Sequence, residues 1–215
     1  TMDILERYTK YFTPYNKQNA GGTKRKVLKS KYEMENERNI PMEIGQVALD
    51  YSGITMDMLI NQGVDIKTIG QEIIDFTKRN TLSKGAQFKP ILIGQNIPFD
   101  IGFLQQLMNY SGLLKEFEKV FSGKTDFYGN FQPYYIDTIL LARLALANNP
   151  SVNSYRLELI CEYLGIELDD AHDADADVTA TLNVTRVCAN RLRNSDNSES
   201  SVIHKNEKSR THFKI

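Results

Sequence analysis

The order of apolar and polar positions divides the chain into short strands alternating with helices. RYTKYF, Arg7–Phe12, is rich in β-forming residues and stops before Pro14, which predicts a strand. Ala48–Thr55 ends in a Gly-containing turn, and Thr55 is placed to cap the short helical piece MDML. Within Ile66–Arg79, Ile69, Ile73 and Phe76 recur at helical spacing. Pro90–Asn96, PILIGQN, is an apolar run closed by Gly and Asn, the pattern of a buried strand. The next helix starts near Pro98 and stops at Gly112; Phe99, Phe103 and Leu107, with Leu104 and Met108, form its apolar face. Tyr134–Thr138, YYIDT, is a further strand and runs into the helix ILLARLALAN. Leu157, Ile160, Cys161 and Leu164 mark a helix stopped by Gly165. The last helix begins just after His172, with the stripe Ala174, Val178, Leu182, Thr185, Cys188 and Leu192. Strands alternating with helices predict an α/β domain with a partly parallel sheet.

Two segments break this pattern. Residues 16–41 are polar, with a basic half (Lys24, Arg25, Lys26, Lys29, Lys31) followed by Glu33, Glu35 and Glu37. They read as a loop insertion, either solvated surface charge or an arm that contacts phosphates. Residues 194–215 are polar and aperiodic, which predicts a disordered tail; His204 and His212 lie there and take no role. One domain over residues 1–193 is therefore expected.

The formal net charge is -1, which excludes recruitment of nucleic acid by a bulk positive field. Contact with nucleic acid needs a local patch or bound cations. The two cysteines, Cys161 and Cys188, have no metal-binding spacing and read as packing residues in a reducing compartment. No apolar run approaches the roughly 20 residues of a membrane span, and the N-terminal residues are polar. A cytoplasmic protein with no membrane contact is the expectation.

AHDADADVTAT, Ala171–Thr181, gathers three aspartates beside a histidine. Aspartates in a first helical turn are favoured by the helix dipole alone, and Asp169, Asp170, Asp173 and Asp175 are read that way or as solvated charge. An EF-hand is excluded, because Val178 stands where its glycine belongs and Val184 where its bidentate glutamate belongs. Asp100 and Asp177 differ from the others. Asp100 follows a predicted strand at a helix start, and Asp177 lies in the first turns of the last helix. In open α/β sheets ligands gather at the carboxyl ends of strands. Two carboxylates meeting there suit hard divalent cations such as Mg²⁺. A neutral histidine can accept the proton of an attacking water, although a histidine before a helix also serves as a surface or capping residue.

Together, GQNIPFDIGFL and AHDADADVTAT resemble the second and third motifs of the DEDDh exonucleases, with the nearest likeness to the proofreading epsilon subunits of bacterial replicative DNA polymerases. The family's second motif is His-Asn-x-x-Phe-Asp; here it is Gln95-Asn96-Ile97-Pro98-Phe99-Asp100, with Gln in the His place. The third, His-x-Ala-x-x-Asp with Ala-Thr shortly after, is His172, Ala174, Asp177 and then Ala180-Thr181. The likeness runs from about Arg7 to Arg193. It implies a ribonuclease H-like fold, a mixed sheet flanked by helices, and 3′-to-5′ removal of nucleotides with two divalent ions, Mg or Mn. By position it makes Asp100 and Asp177 metal-linked carboxylates and His172 the general base. It sets Asn96 and Phe99 beside the terminal nucleotide of a single-stranded or frayed 3′ end, DNA favoured over RNA. Phe99 has a second reading as a core aromatic. Asp137 matches the family's Ile-Asp-Thr and is expected to cap the helix after it. A partner polymerase is a further implication.

The family's first motif, an Asp-x-Glu on a buried first strand, is not among these residues; MDILE and YEMENE do not match it. The expectation is a domain missing its first strands, with half of the metal ligands and weak or no activity of its own. A non-catalytic nucleic-acid-binding or polymerase-docking module of the same fold is the alternative. The aromatics of TDFYGNFQPYYIDT (Phe127, Tyr128, Phe131, Tyr134 and Tyr135) have two readings. One is a stacking platform for single strands; in the other, Tyr135 and some others are core and the rest shield a loop.

Overall fold

The computed structural model describes residues 2–14, 45–82, 85–168 and 174–193. The whole polar insertion, the whole C-terminal tail and His172 lie outside these described residues. Helices α1 (Gln46–Ser52) and α2 (Met56–Gln62) come first, and Thr55 caps α2 by accepting from the Met58 N–H, as expected. Helix α3 is Ile66–Arg79, the span the periodicity predicts. Asp65 caps it, accepting from the N–H groups of Lys67 and Thr68. After a short 3₁₀ turn, Ala86–Phe88, comes strand β1, Leu92–Gly94. It is followed by α4 (Pro98–Tyr110), α5 (Leu114–Val120), the hairpin β2 (Gly123–Thr125) and β3 (Phe131–Pro133), and β4 (Tyr135–Asp137). Helices α6 (Thr138–Ala145), α7 (Leu157–Leu164) and α8 (Ala174–Arg193) complete the order. Gly112 and Gly165 take φ of 74° and 70°, left-handed conformations that end α4 and α7 where the sequence expects stops.

Strands β1 and β4 pair in parallel, with Leu92 opposite Tyr135, Ile93 opposite Ile136 and Gly94 opposite Asp137. The connection between them carries α4, α5 and the antiparallel β2–β3 hairpin. The architecture is mixed α/β, as expected. Two apolar clusters flank it. Ile66, Ile69, Ile74, Leu107, Met108, Phe117 and Phe121 form one between α3, α4 and α5. Ala142, Leu146, Ile160, Cys161, Leu164, Ala180, Val184 and Cys188 form the other among α6, α7 and α8. Both cysteines are free and buried in it, which bears out their reading as packing residues.

Several expectations are corrected. Arg7–Phe12 is not a strand: Phe12 makes a single parallel bridge to Val64, and no described strand lies beside the rest to complete a ladder. The strand in Pro90–Asn96 forms but is not buried. Ile93 is 44% exposed, because β4 is the one described strand paired with it. On α4, Leu107 and Met108 are buried while Phe99 and Phe103 face solvent; Ile101 takes the inward position instead. On α8 the buried stripe is Ala180, Val184, Thr185 and Cys188, and Ala174, Val178 and Leu192 are exposed. Tyr135 is also exposed, not core; of the hairpin aromatics Phe131 packs inward, edge-on to Phe117.

Residues 2–14 run as an extended strap between α3 and α8. Glu6 binds Arg79 at the end of α3 and Asn80 just past it, and these hydrogen bonds, led by Arg79, hold its carboxyl below the usual range. Arg7 turns to α8, bonding Asp175 (3.2 Å) and Thr179 (3.0 Å). Tyr8 turns back to donate to Glu72 at 2.6 Å; burial first, then this bond, push its phenol up.

Candidate active site

The turn between β1 and α4 holds the motif Gln95–Asp100 and is packed tightly. A Cβ on Gly94 would come within 2.8 Å of Ile97, so a glycine is needed for Ile97 to fold back over the strand end. Ile97 is buried at 6% exposure. Asn96 has φ 51°, a left-handed conformation that asparagine tolerates better than most residues. Its N–H donates to Asp137 Oδ1 at 3.1 Å, and the same oxygen accepts the Ile139 N–H at 2.9 Å. Asp137 thus caps α6, as expected, and also pins the motif turn. Gln95 accepts a hydrogen bond from the Thr138 hydroxyl and donates to the Tyr155 carbonyl at 2.9 Å.

Pro98 is the first residue of α4, where its missing N–H costs nothing. Asp100 follows in the first turn, where the helix dipole favours an anion. Its carboxyl opens to solvent, yet the protein mass behind it pushes it above the ordinary carboxylate range, partly offset by its own backbone N–H. Phe99 is 66% exposed and meets Phe103 edge-on, with ring centroids 4.9 Å apart. Its reading as a core aromatic is therefore corrected.

Asp177 is half-buried in the first turn of α8. It lies three, seven and eleven residues before Ala180, Val184 and Cys188, so it extends the inward stripe of the helix. Burial pushes the Cys161 thiol up, and the charges of Glu158 and Asp177 add to this, which puts Asp177 on the α7 side. Asp175 points the other way, to Arg7. Asp169, Asp170, His172 and Asp173 lie outside the described residues.

Among the described residues, no three of His, Cys, Asp or Glu gather to hold a metal ion. Asp100 and Asp177 supply two hard oxygen donors, and Mg²⁺ is commonly held by one or two carboxylates, waters and substrate phosphate. That chemistry fits a divalent cation, with an incomplete protein ligand set.

Sequence reasoning missed the linkage from Gln95 to Tyr155 and Thr138, and the pairing of Arg7 with Asp175. The Gln in a family His place was the signal for the first; an ion pair across 168 positions leaves none.

The RNase_T exonuclease family model matches residues 32–185. A DNA polymerase III of PolC type from Oceanobacillus iheyensis is 28% identical over 138 residues, 64% of this chain but 8% of that protein's length. A solved structure of exonuclease I aligns with TM-score 0.49 at 21% identity, over 71% of this chain and 31% of that one. With the family model covering well over half of its residues, and with the second and third motifs in order, the chain belongs to the exonuclease family, in its DEDDh type.

Proposed function

We propose that this domain removes nucleotides from nucleic-acid 3′ ends, in the 3′-to-5′ direction, with DNA as the favoured substrate. The observation that carries this reading is the motif turn: it is pinned at the carboxyl end of β1 and sets Asp100 at the open start of α4 beside the exposed Phe99. Asp100 and Asp177 are the residues that would hold the two divalent cations, Mg or Mn. When bound, such ions activate a water and stabilise the leaving oxygen. His172 would serve as the general base that accepts a proton from the attacking water. Phe99 packs on the terminal base or sugar, and Asn96 lies beside the same nucleotide. Residues 1–193 act as one exonuclease-like domain.

Two carboxylates leave a weak site, because Mg²⁺ gives up its waters reluctantly. The domain therefore needs an Asp-x-Glu pair supplied from outside these residues, and the chain alone is weakly active or inactive. A half-exposed Ile93 on β1 is what an additional neighbouring strand would cover. The PolC-type likeness supports work alongside a replicative polymerase in proofreading.

The test is digestion of a 3′-labelled oligonucleotide with Mg²⁺ or Mn²⁺, by this chain and by a longer form carrying an Asp-x-Glu strand. Cleavage by the longer form that Asp177→Asn abolishes supports the proposal. Binding without cleavage by both forms overturns it in favour of a nucleic-acid-binding module.

A further inference from the structure

We infer that Gln95 is a positioning residue: it fixes the turn bearing Asp100 against the helical layer bearing Asp177. Both ends of its amide are used. Its Oε1 accepts from Thr138, the first residue of α6, and its Nε2 donates to the carbonyl of Tyr155, just ahead of α7. Arg143 of α6 lies over the Tyr155 ring at 4.4 Å, so the acceptor is itself held. The neighbouring Asn96 N–H reaches Asp137, so both sides of the Gln95–Asn96 peptide are bound to the start of α6.

Helix α4 has no side-chain cap of its own. Its first turn is thus aimed by what holds residues 95–97, not by a local device. Helices α6 and α7 pack on α8, which carries Asp177. One side chain therefore spans from the strand end below Asp100 to the layer that carries Asp177. A leucine would fill similar space but join nothing.

The linkage is not required to satisfy buried groups. Thr138 is fully buried, yet its hydroxyl has a second acceptor in the Gly94 carbonyl at 3.3 Å. Losing Gln95 therefore costs alignment more than stability. In the family's second motif a histidine stands here, and an imidazole can also donate from one nitrogen and accept at the other. Only the role of Asp100 rests on the exonuclease reading; the linkage does not.

The experiment uses the full chain with Gln95→Leu, Gln95→Glu and Gln95→His. Amide hydrogen exchange is followed over residues 95–103 and 174–180, Mn²⁺ alone is titrated calorimetrically, and urea unfolding is measured. Gln95→Leu is expected to speed exchange in the Asn96–Asp100 turn and weaken Mn²⁺ binding, each by about tenfold, the scale of one or two lost hydrogen bonds. Its urea midpoint stays near that of the unsubstituted chain, and Gln95→His restores both readouts. If Gln95→Leu does not fold, Gln95→Glu keeps the size and the acceptor and loses the donor to Tyr155, so the same comparison decides. Unchanged exchange in the turn, a uniform rise across the chain, or no rescue by histidine overturns the inference. If the unsubstituted chain takes up no Mn²⁺, the metal reading fails and the exchange results still decide the role of Gln95.

Discussion

The two ends of α4 do opposite things with the same kind of residue. At its C-terminal end Leu107 and Met108 are buried against α3 and α5, and Met108 is fully enclosed. At its N-terminal end Phe99 and Phe103 stand in solvent next to Asp100. Helical spacing joins Phe99, Phe103 and Leu107 into one face. That spacing reports which residues share a side of a helix, not whether the protein covers that side along its whole length. A large apolar side chain left exposed beside a carboxylate contributes little to folding and is available for a ligand.

The strongest test of the difference is Met108→Ala. It should destabilise the protein by about 2–5 kcal/mol, through lost burial and a residual cavity, as read by urea unfolding. Phe99→Ala should leave stability within about 0.5 kcal/mol. It should instead weaken binding of a single-stranded 3′ end by roughly tenfold in fluorescence anisotropy, since a stacked base is worth about 1–3 kcal/mol. A large stability loss in Phe99→Ala would erase the distinction between the two ends.

A cap under the buried end gives a smaller effect. Asp65→Ala removes the side chain that caps α3, and should cost about 1 kcal/mol at neutral pH. Backbone hydrogen bonds from Thr68 and Lys67 hold the Asp65 carboxyl below its ordinary value. Its folded pKa is thus depressed, so its contribution is fully present above the unfolded value of about 3.9 and is lost as pH falls through the folded one. The stability gap between Asp65→Ala and the unsubstituted chain should therefore close in acid. Smallest of all is Arg7→Gln. An ion pair this exposed is worth about 0–1 kcal/mol, and 1 M salt should remove even that.

The helix boundaries were legible because their signals are local: spacing within Ile66–Arg79, Pro98 at a helix start, Gly112 and Gly165 at helix ends. Asp137 as a cap was legible for the same reason, while its second bond, to Asn96, joins residues 41 positions apart and was not. RYTKYF carries the propensity of a strand, but a strand exists only with a neighbour, and propensity names none. The face of α8 was only partly legible: Thr185 and Cys188 are buried as expected, the Thr185 hydroxyl donating to the Thr181 carbonyl, while Val178 is apolar yet exposed and Ala180 and Val184 take the inward positions. Of the site, the motifs gave Asp100, Asp177, Asn96 and Phe99 as candidates. What holds the turn of Asn96, Phe99 and Asp100 in place comes partly from Thr138, the Thr of Ile-Asp-Thr, and partly from the Tyr155 carbonyl, which no motif contains.

The strap of residues 2–14 has a consequence for the order of folding. Its side chains bond α3 and the residue capping its end, some 64–74 positions away, and α8, some 166–172 positions away, and its Met2 carbonyl accepts from Arg186 of α8, 184 positions away. Contacts between such distant positions carry the largest loop-closure cost, and the helices they join can each pack with nearer neighbours first. The strap is therefore expected to close last and release first, a zipper drawn over two finished layers.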